Sequence, residues 1–333
     1  MTMRRLSLLI TAVVALTIAA PAGAATRANW NLDQQEDVAA AGLLPRLSDG
    51  RFHGERPLTG PQLTAALSAL TQTPPVATSS AATVSVTAFD ARVVQQLGLS
   101  DVAAHVQSEA RAAGLHPPRH FGTEVVARQL GLRTNHPFAD EALELYPWEP
   151  ITRAEAAHSL STAMDNPWAV ENARATLSAF TLPRYGAQAR HALRTAVSKI
   201  GMPYIWGGET DRASTHYYGP QVHGGYDCSG FVWRTFKIAR HPAGTRISGR
   251  TAAQMAGEIR KGARLHLDEV RPGDLVFFGR ANFNSKATEA GVDHVGIALS
   301  AHWMIHASAQ GVYVSSLDEG WRQDRFAWAR RIL

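Results

Sequence analysis

A chain of 333 residues with one cysteine, Cys228, cannot staple itself with an intramolecular disulfide. Its fold must be held by buried apolar cores, and the thiol needs an explanation of its own. The N-terminus sharpens the question. Arg4 and Arg5 precede an uncharged apolar run from Leu6 to about Ala20, and the small residues Pro21 to Ala25 follow. That is the pattern of a cleaved export signal over residues 1–24. The run falls short of the roughly 18 to 20 residues that span a bilayer comfortably, and no cysteine near the cleavage site offers a lipid anchor. The expectation is a secreted protein of the cell wall or extracellular space, with no stable membrane insertion after signal cleavage. Exported chains usually spend cysteines on disulfides, so a single one reads as a reactive thiol or as a small buried hydrophobe.

About 305 residues follow the signal, enough for two domains that each bury a core. The formal net charge of +5 is mild and spread along the chain, and no Lys/Arg block suggests a nucleic-acid partner. Residues 26–182 are rich in Ala, Leu and Gln and read as short amphipathic helices, with a Pro/Thr/Ser linker at about 71–83. Pro183 marks a boundary near 182–186. From 187 to 333 the pattern becomes a helix, a glycine-rich turn, another helix and then short β-type runs.

Cys228 lies in Gly225-Tyr226-Asp227-Cys228-Ser229-Gly230-Phe231-Val232-Trp233. Phe231, Val232 and Phe236 mark a helix whose first turn holds the thiol, and free N–H groups there favour a thiolate. A thiol nucleophile also requires a base, and the base an orienting partner. In Asp293-His294-Val295-Gly296-Ile297-Ala298-Leu299, alternation puts His294 opposite the apolar face. If the strand Trp303-Met304-Ile305-His306-Ala307 returns through a hairpin about Ala301, His294 and His306 lie diagonally on one face. His294 is then the candidate base, and His306 the group that fixes its tautomer. A zinc site built on Asp293, His294 and His306, with Cys228 as a further ligand, is disfavoured, because no His-x-x-x-His helix or paired Cys motif is present.

Five ordered blocks now stand out: Gly201-Met202-Pro203-Tyr204-Ile205-Trp206-Gly207-Gly208, Tyr226 to Val232, Arg271-Pro272-Gly273-Asp274-Leu275-Val276-Phe277-Phe278, His294 to Ile297, and Ile305-His306-Ala307. In order and spacing they resemble the NlpC-type cell-wall cysteine peptidases over about residues 187–333. The resemblance implies an α+β, papain-like domain in which the cysteine helix packs on an antiparallel sheet, preceded here by a mainly α-helical N-terminal domain. It implies hydrolysis of peptidoglycan stem peptides, at the bond between γ-D-glutamate and a diamino acid such as meso-diaminopimelate, through a thioester. Cys228 matches the nucleophile, His294 the base and His306 the third polar member. Tyr204 matches a tyrosine lining the site, and Asp227, Ser229 and Arg250 match substrate-binding positions. No metal or other cofactor is implied. The segments Glu209 to Gly225 and Arg280 to Gly291 are longer than the family's usual loops and leave substrate preference open.

In the N-terminal half, Val93 to Leu99 and Val125 to Leu132 echo each other, each ending a helix at a glycine. Ile151-Thr152-Arg153-Ala154-Glu155 reads as a capping box and resembles the S-layer homology repeat, with a degenerate copy at Ala41 to Gln62. By that resemblance Arg153 binds an anionic cell-wall polysaccharide, and residues 26–182 form a wall-targeting region or a module that packs on and inhibits the peptidase. The competing functions are a non-catalytic wall-binding or scaffold protein and an N-acetylmuramoyl-L-alanine amidase.

Overall fold

The computed structural model describes residues 27–74, 82–216 and 219–333. The expected signal at 1–24, most of the expected linker, and Tyr217 and Tyr218 lie outside the described residues.

Seven helices make up most of the N-terminal half: α1 (Leu32–Ala40), α2 (Gly60–Thr71), α3 (Val86–Gln96), α4 (Ser100–Ala112), α5 (Phe121–Gln129), α6 (Arg153–Asp165) and α7 (Trp168–Ser178), with a 3-10 turn at Phe138–Leu143. Three of them start alike. Thr59 and Gln62 form a capping box on α2, Ser85 accepts from the Ala88 N–H on α3, and Thr152 accepts from the Glu155 N–H on α6. Each cap follows one extended apolar residue, and these three close a ring. Leu58 N–H donates to Ile151 O at 2.8 Å, Ile151 N–H to Val84 O at 2.8 Å, and Val84 N–H to Leu58 O at 3.0 Å. All three side chains are buried, so one small hub satisfies its own backbone and aims three helices outward. At the ends of α3 and α5, Gly98 and Gly131 take φ of 71° and 73°, the left-handed cap that a side chain would strain.

Arg153 does not face solvent. It is 1% exposed, donates to Phe52 O and Pro45 O, both at 2.8 Å, and lies 4.6 Å over the Phe52 ring. The polysaccharide contact expected of it is corrected here. Its donors hold the loop before α2, and no face of it is open to a polymer.

The C-terminal half begins with α8 (Ala187–Val197), followed by β1 (Glu209–Thr210), β2 (Ser214–His216), β3 (Gly219–Gln221) and β4 (Gly225–Tyr226). β1 pairs with β4 and β2 with β3, so the long segment before Cys228 folds as one two-stranded ribbon nested in sequence within another. Then come α9 (Cys228–Trp233), α10 (Ala252–Gly257), β5 (Leu275–Gly279), β6 (Val292–Ala298), β7 (Trp303–Ser308), β8 (Gly311–Ser316), α11 (Gly320–Arg325) and β9 (Phe326–Arg330). The last five strands form one antiparallel sheet, ordered β8-β7-β6-β5-β9. α9 packs on β6 and β7, burying Phe231 and Val232 among Val295, Ile297 and Ile305. The two halves share one buried cluster that runs from Val38 to Ile332. Across the junction, Phe180 meets Trp303 edge-on at 5.0 Å, and Arg128 Nε donates to Gln310 O at 2.9 Å. The separate cores expected from chain length are therefore joined.

Candidate active site

Cys228 begins α9, and the cap of that helix is Asp227, whose side chain accepts from the Gly230 N–H. The turn is tight. A Cβ on Gly230 would lie 1.9 Å from Gly208 O, so only glycine lets the helix start approach the 207–208 backbone. Facing the thiol is β6, which pairs with β7 only at Ile297↔Ile305 and Ala298↔Met304. The first half of β6 is thus free of that neighbour, and Cys228 Sγ sits 3.9 Å from Asp293 O, the carbonyl preceding His294.

From His294 a polar chain runs across the sheet. Its Nε2 is 2.8 Å from His306 Nδ1, His306 Nε2 is 2.8 Å from Ser315 Oγ, and Arg322 Nη2 donates to the same hydroxyl at 2.8 Å. Gly296 makes room, since a Cβ there would meet Met304 Sδ at 2.8 Å and His306 Cβ at 3.3 Å. A neutral His294 that carries its proton on Nε2 donates to His306, which in turn donates to Ser315. His294 Nδ1 is then left as a proton acceptor. Burial, with Arg322 and Arg325 adding to it, pushes the His294 pKa down to about 3. His306 is also pushed well down, by burial, by His294 and by Arg322.

The thiol departs from expectation. Burial first, and the Asp227 carboxylate second, push Cys228 up to about 12, outweighing the Val295 and Ser229 N–H groups that favour its anion. The helix start alone predicts a thiolate. Desolvation of the sulfur opposes this and favours the neutral thiol.

A family model, NlpC/P60 family, matches residues 201–331. The probable endopeptidase NlpC of Escherichia coli (strain K12) is 35% identical over 133 residues, covering 40% of this chain and 70% of the relative. The chain belongs to the NlpC/P60 family. Murein DD-endopeptidase MepH of the same strain is 32% identical over 144 residues, 43% of this chain and 45% of MepH; this chain therefore spans under half of that relative. A crystal structure of the NlpC/p60 domain of peptidoglycan hydrolase SagA is 26% identical and covers 43% of this chain and 97% of that one, with a TM-score of 0.30.

Within the NlpC/P60 domain, Asp227, Ser229 and Arg250 meet one another under the helix start. Arg250 is 1% exposed and donates to Glu209 Oε2 at 2.6 Å, Asp227 Oδ1 at 3.1 Å, Ser229 Oγ at 2.9 Å and Gly207 O at 2.9 Å. A substrate contact by Arg250 is corrected to a buried brace, because its guanidinium is turned onto protein atoms and compensates two carboxylates. Tyr204 is half-buried. Its phenol is held protonated by burial, with Cys228, Asp227 and Glu141 adding to the effect.

Sequence reasoning passes over three members. Ser315 and Arg322 end the histidine chain, and strand alternation, which puts Ser315 on the face of Tyr313 and His306, is the available signal for the first. Glu141, from the N-terminal half, accepts from the Trp206 N–H at 2.6 Å. Burial, with Asp227 adding to it, raises its pKa, and nothing in its local sequence marks it. Among the described residues no group of three or more His, Cys, Asp or Glu could hold a metal ion, and no helix is long and apolar enough to cross a membrane.

Proposed function

We propose that this protein is a secreted cysteine-type peptidoglycan endopeptidase that cleaves stem peptides at the bond between γ-D-glutamate and a diamino acid. The observation that carries the reading is a buried thiol at a helix start, 3.9 Å from the carbonyl preceding His294, with His294 tied through His306 to Ser315. Cys228 is the nucleophile, His294 the base and His306 the residue that holds the His294 tautomer.

In the first half-reaction the sulfur attacks the γ-glutamyl carbonyl while its proton passes to His294 Nδ1. The oxyanion meets the Cys228 N–H and the Tyr204 hydroxyl. The proton then moves from His294 to the departing amine, leaving a thioester on Cys228. Water attacks that thioester as His294 takes its proton, and the proton returns to sulfur when the acid leaves. A resting thiol suits this sequence, because charge is created only when substrate arrives. Asp227 and Ser229, braced by Arg250, form the wall that selects the residue before the scissile bond. We assign the N-terminal half, on the sequence resemblance of residues 151–155 to an S-layer homology repeat, to positioning the peptidase on the wall without Arg153.

Digestion of defined muropeptides by the protein and by its Cys228→Ala variant, with mass identification of products, tests the reading. Release of γ-D-glutamyl-terminated fragments by the parent alone is expected. A DD-bond product, as in the name of the MepH relative, would move the scissile bond. A free L-Ala terminus on an intact stem would make the protein an amidase, and equal, negligible release by both would make it a scaffold.

A further inference from the structure

Where the two halves meet, a cavity of about 670 Å³ opens beside three stacked rings. Tyr146 is sandwiched, with His223 at 4.2 Å on one side and Trp148 at 4.7 Å and an interplanar angle of 6° on the other. The Tyr146 hydroxyl accepts from the Gly224 N–H at 3.0 Å, which fixes the stack to the ribbon before Cys228. Trp148 nevertheless stays 64% exposed, so the stack ends in an indole presented to the cavity. Trp206, 66% exposed, lies on the segment that Glu141 ties to the same junction.

The polar lining completes the site. Lys199 Nζ lies 2.8 Å from Asp211 Oδ1, and Arg234 Nη2 lies 2.8 Å from Asp211 Oδ2. The Tyr226 hydroxyl also donates to Asp211, linking the cavity floor to the residue two before Cys228. Arg212 lines the cavity, is exposed and has no ion pair among the described residues. Ser198 lends a hydroxyl.

We propose that this cavity is a saccharide subsite, in which an N-acetylated hexose of the wall glycan stacks on Trp148 while Arg212, Lys199 and Ser198 hydrogen-bond its hydroxyl and acetamido groups. The inference rests on the stem-peptide reading for its choice of glycan. A pyranose offers a face of weakly positive C–H groups, which suits the negative face of an indole. The volume falls inside the roughly 300–1,000 Å³ of small-molecule sites and accepts one or two sugar rings. Because Tyr146 and His223 already order the indole, little side-chain freedom is lost on binding.

The test uses the full chain carrying Cys228→Ala, so that binding is read without turnover, and titrates it by calorimetry with a peptide-free GlcNAc–MurNAc tetrasaccharide. Saturable binding is expected, at least tenfold weaker when Trp148→Ala is added and several-fold weaker with Arg212→Ala. In the active protein, Trp148→Ala should leave hydrolysis of a sugar-free stem peptide unchanged while slowing hydrolysis of the glycan-linked stem. No saturable binding, equal binding by the Trp148→Ala protein, or Trp148-dependent binding of the sugar-free peptide would each overturn the subsite. Glycan binding by a chain that cleaves no stem peptide would leave the subsite standing and remove the hydrolase reading alone.

Discussion

The hub of the N-terminal half and the support beneath Cys228 are each built round a buried arginine near a helix start, Arg153 and Arg250, yet the two are solvated differently. Arg153 donates to neutral groups, two backbone carbonyls, and lies over the Phe52 ring. Arg250 is surrounded by charge, with Glu209 and Asp227 on its guanidinium and Ser229 beside them. The first arrangement binds a loop to a hub through carbonyls and a ring, with no carboxylate hydrogen-bonded to it. The second sets two carboxylates against one guanidinium beneath Cys228, and the Asp227 carboxylate adds to the upward push on the thiol pKa, so that a brace in the structure also touches the chemistry. Burial alone does not separate scaffold from site; the charge of what is buried beside the arginine does.

The sharpest break between the regions is expected at the thiol. Cys228→Ala should lower turnover by on the order of 10⁶-fold while leaving the thermal midpoint unchanged or raised, whereas Ile151→Ala in the hub should cost about 2–5 kcal/mol of stability and leave the folded fraction active. Hydrolysis assays paired with denaturant unfolding read both, and a hub variant that loses activity while fully folded would dissolve the distinction. Next is His306→Ala, for which a loss on the order of 10²–10⁴-fold in kcat is expected with KM little changed. A rise in KM alone would put His306 in binding.

The two arginines give the direct comparison. Arg250→Met leaves two carboxylates uncompensated and should destabilise by about 3–5 kcal/mol, against about 1–3 kcal/mol for Arg153→Met, which strands carbonyls only. Equal costs in urea unfolding would mean that the carboxylates contribute nothing. Smaller still, Ser315→Ala should slow turnover about fivefold, the equivalent of roughly 1 kcal/mol.

The pH dependence has a definite sign. With Cys228 pushed up to about 12 and His294 down to about 3, both are neutral between those values. Alkylation of Cys228 by iodoacetamide should therefore climb with pH from 6 to 10 without a plateau. A rate already flat from pH 5 to 8 would reveal a thiolate–imidazolium pair.

The candidate site was largely legible in the sequence because its chemistry is local. Asp227-Cys228-Ser229-Gly230 announces a helix start, and the parity of His294 and His306 about Ala301 gives their shared face, which the Ile297↔Ile305 register reproduces. The hub was legible at one of its three starts, the capping box at Thr152, while Thr59 fell inside the degenerate copy at Ala41 to Gln62. Val84-Ser85-Val86 carries a cap but no arginine or glutamate after it, and the ring with Leu58 and Ile151 spans contacts far apart in the chain. Burial was the main thing hidden. An arginine beside a capping threonine reads as solvated until the loop at 45–53 or the ribbon at 207–209 is known to cover it. The same blindness gave Cys228 a thiolate, since a helix start is visible in sequence and the desolvation that opposes it is not. Glu141 and Arg322 reach the site from segments without a motif.

The central claim is that Cys228 forms a bond to the substrate. Rapid acid quench during turnover of a defined muropeptide, followed by proteolysis and mass spectrometry, should find the acyl fragment on the peptide carrying Cys228 and none on that peptide from the Cys228→Ala protein. Full-rate hydrolysis with Cys228 unmodified throughout, and still proceeding after its alkylation, would contradict the account.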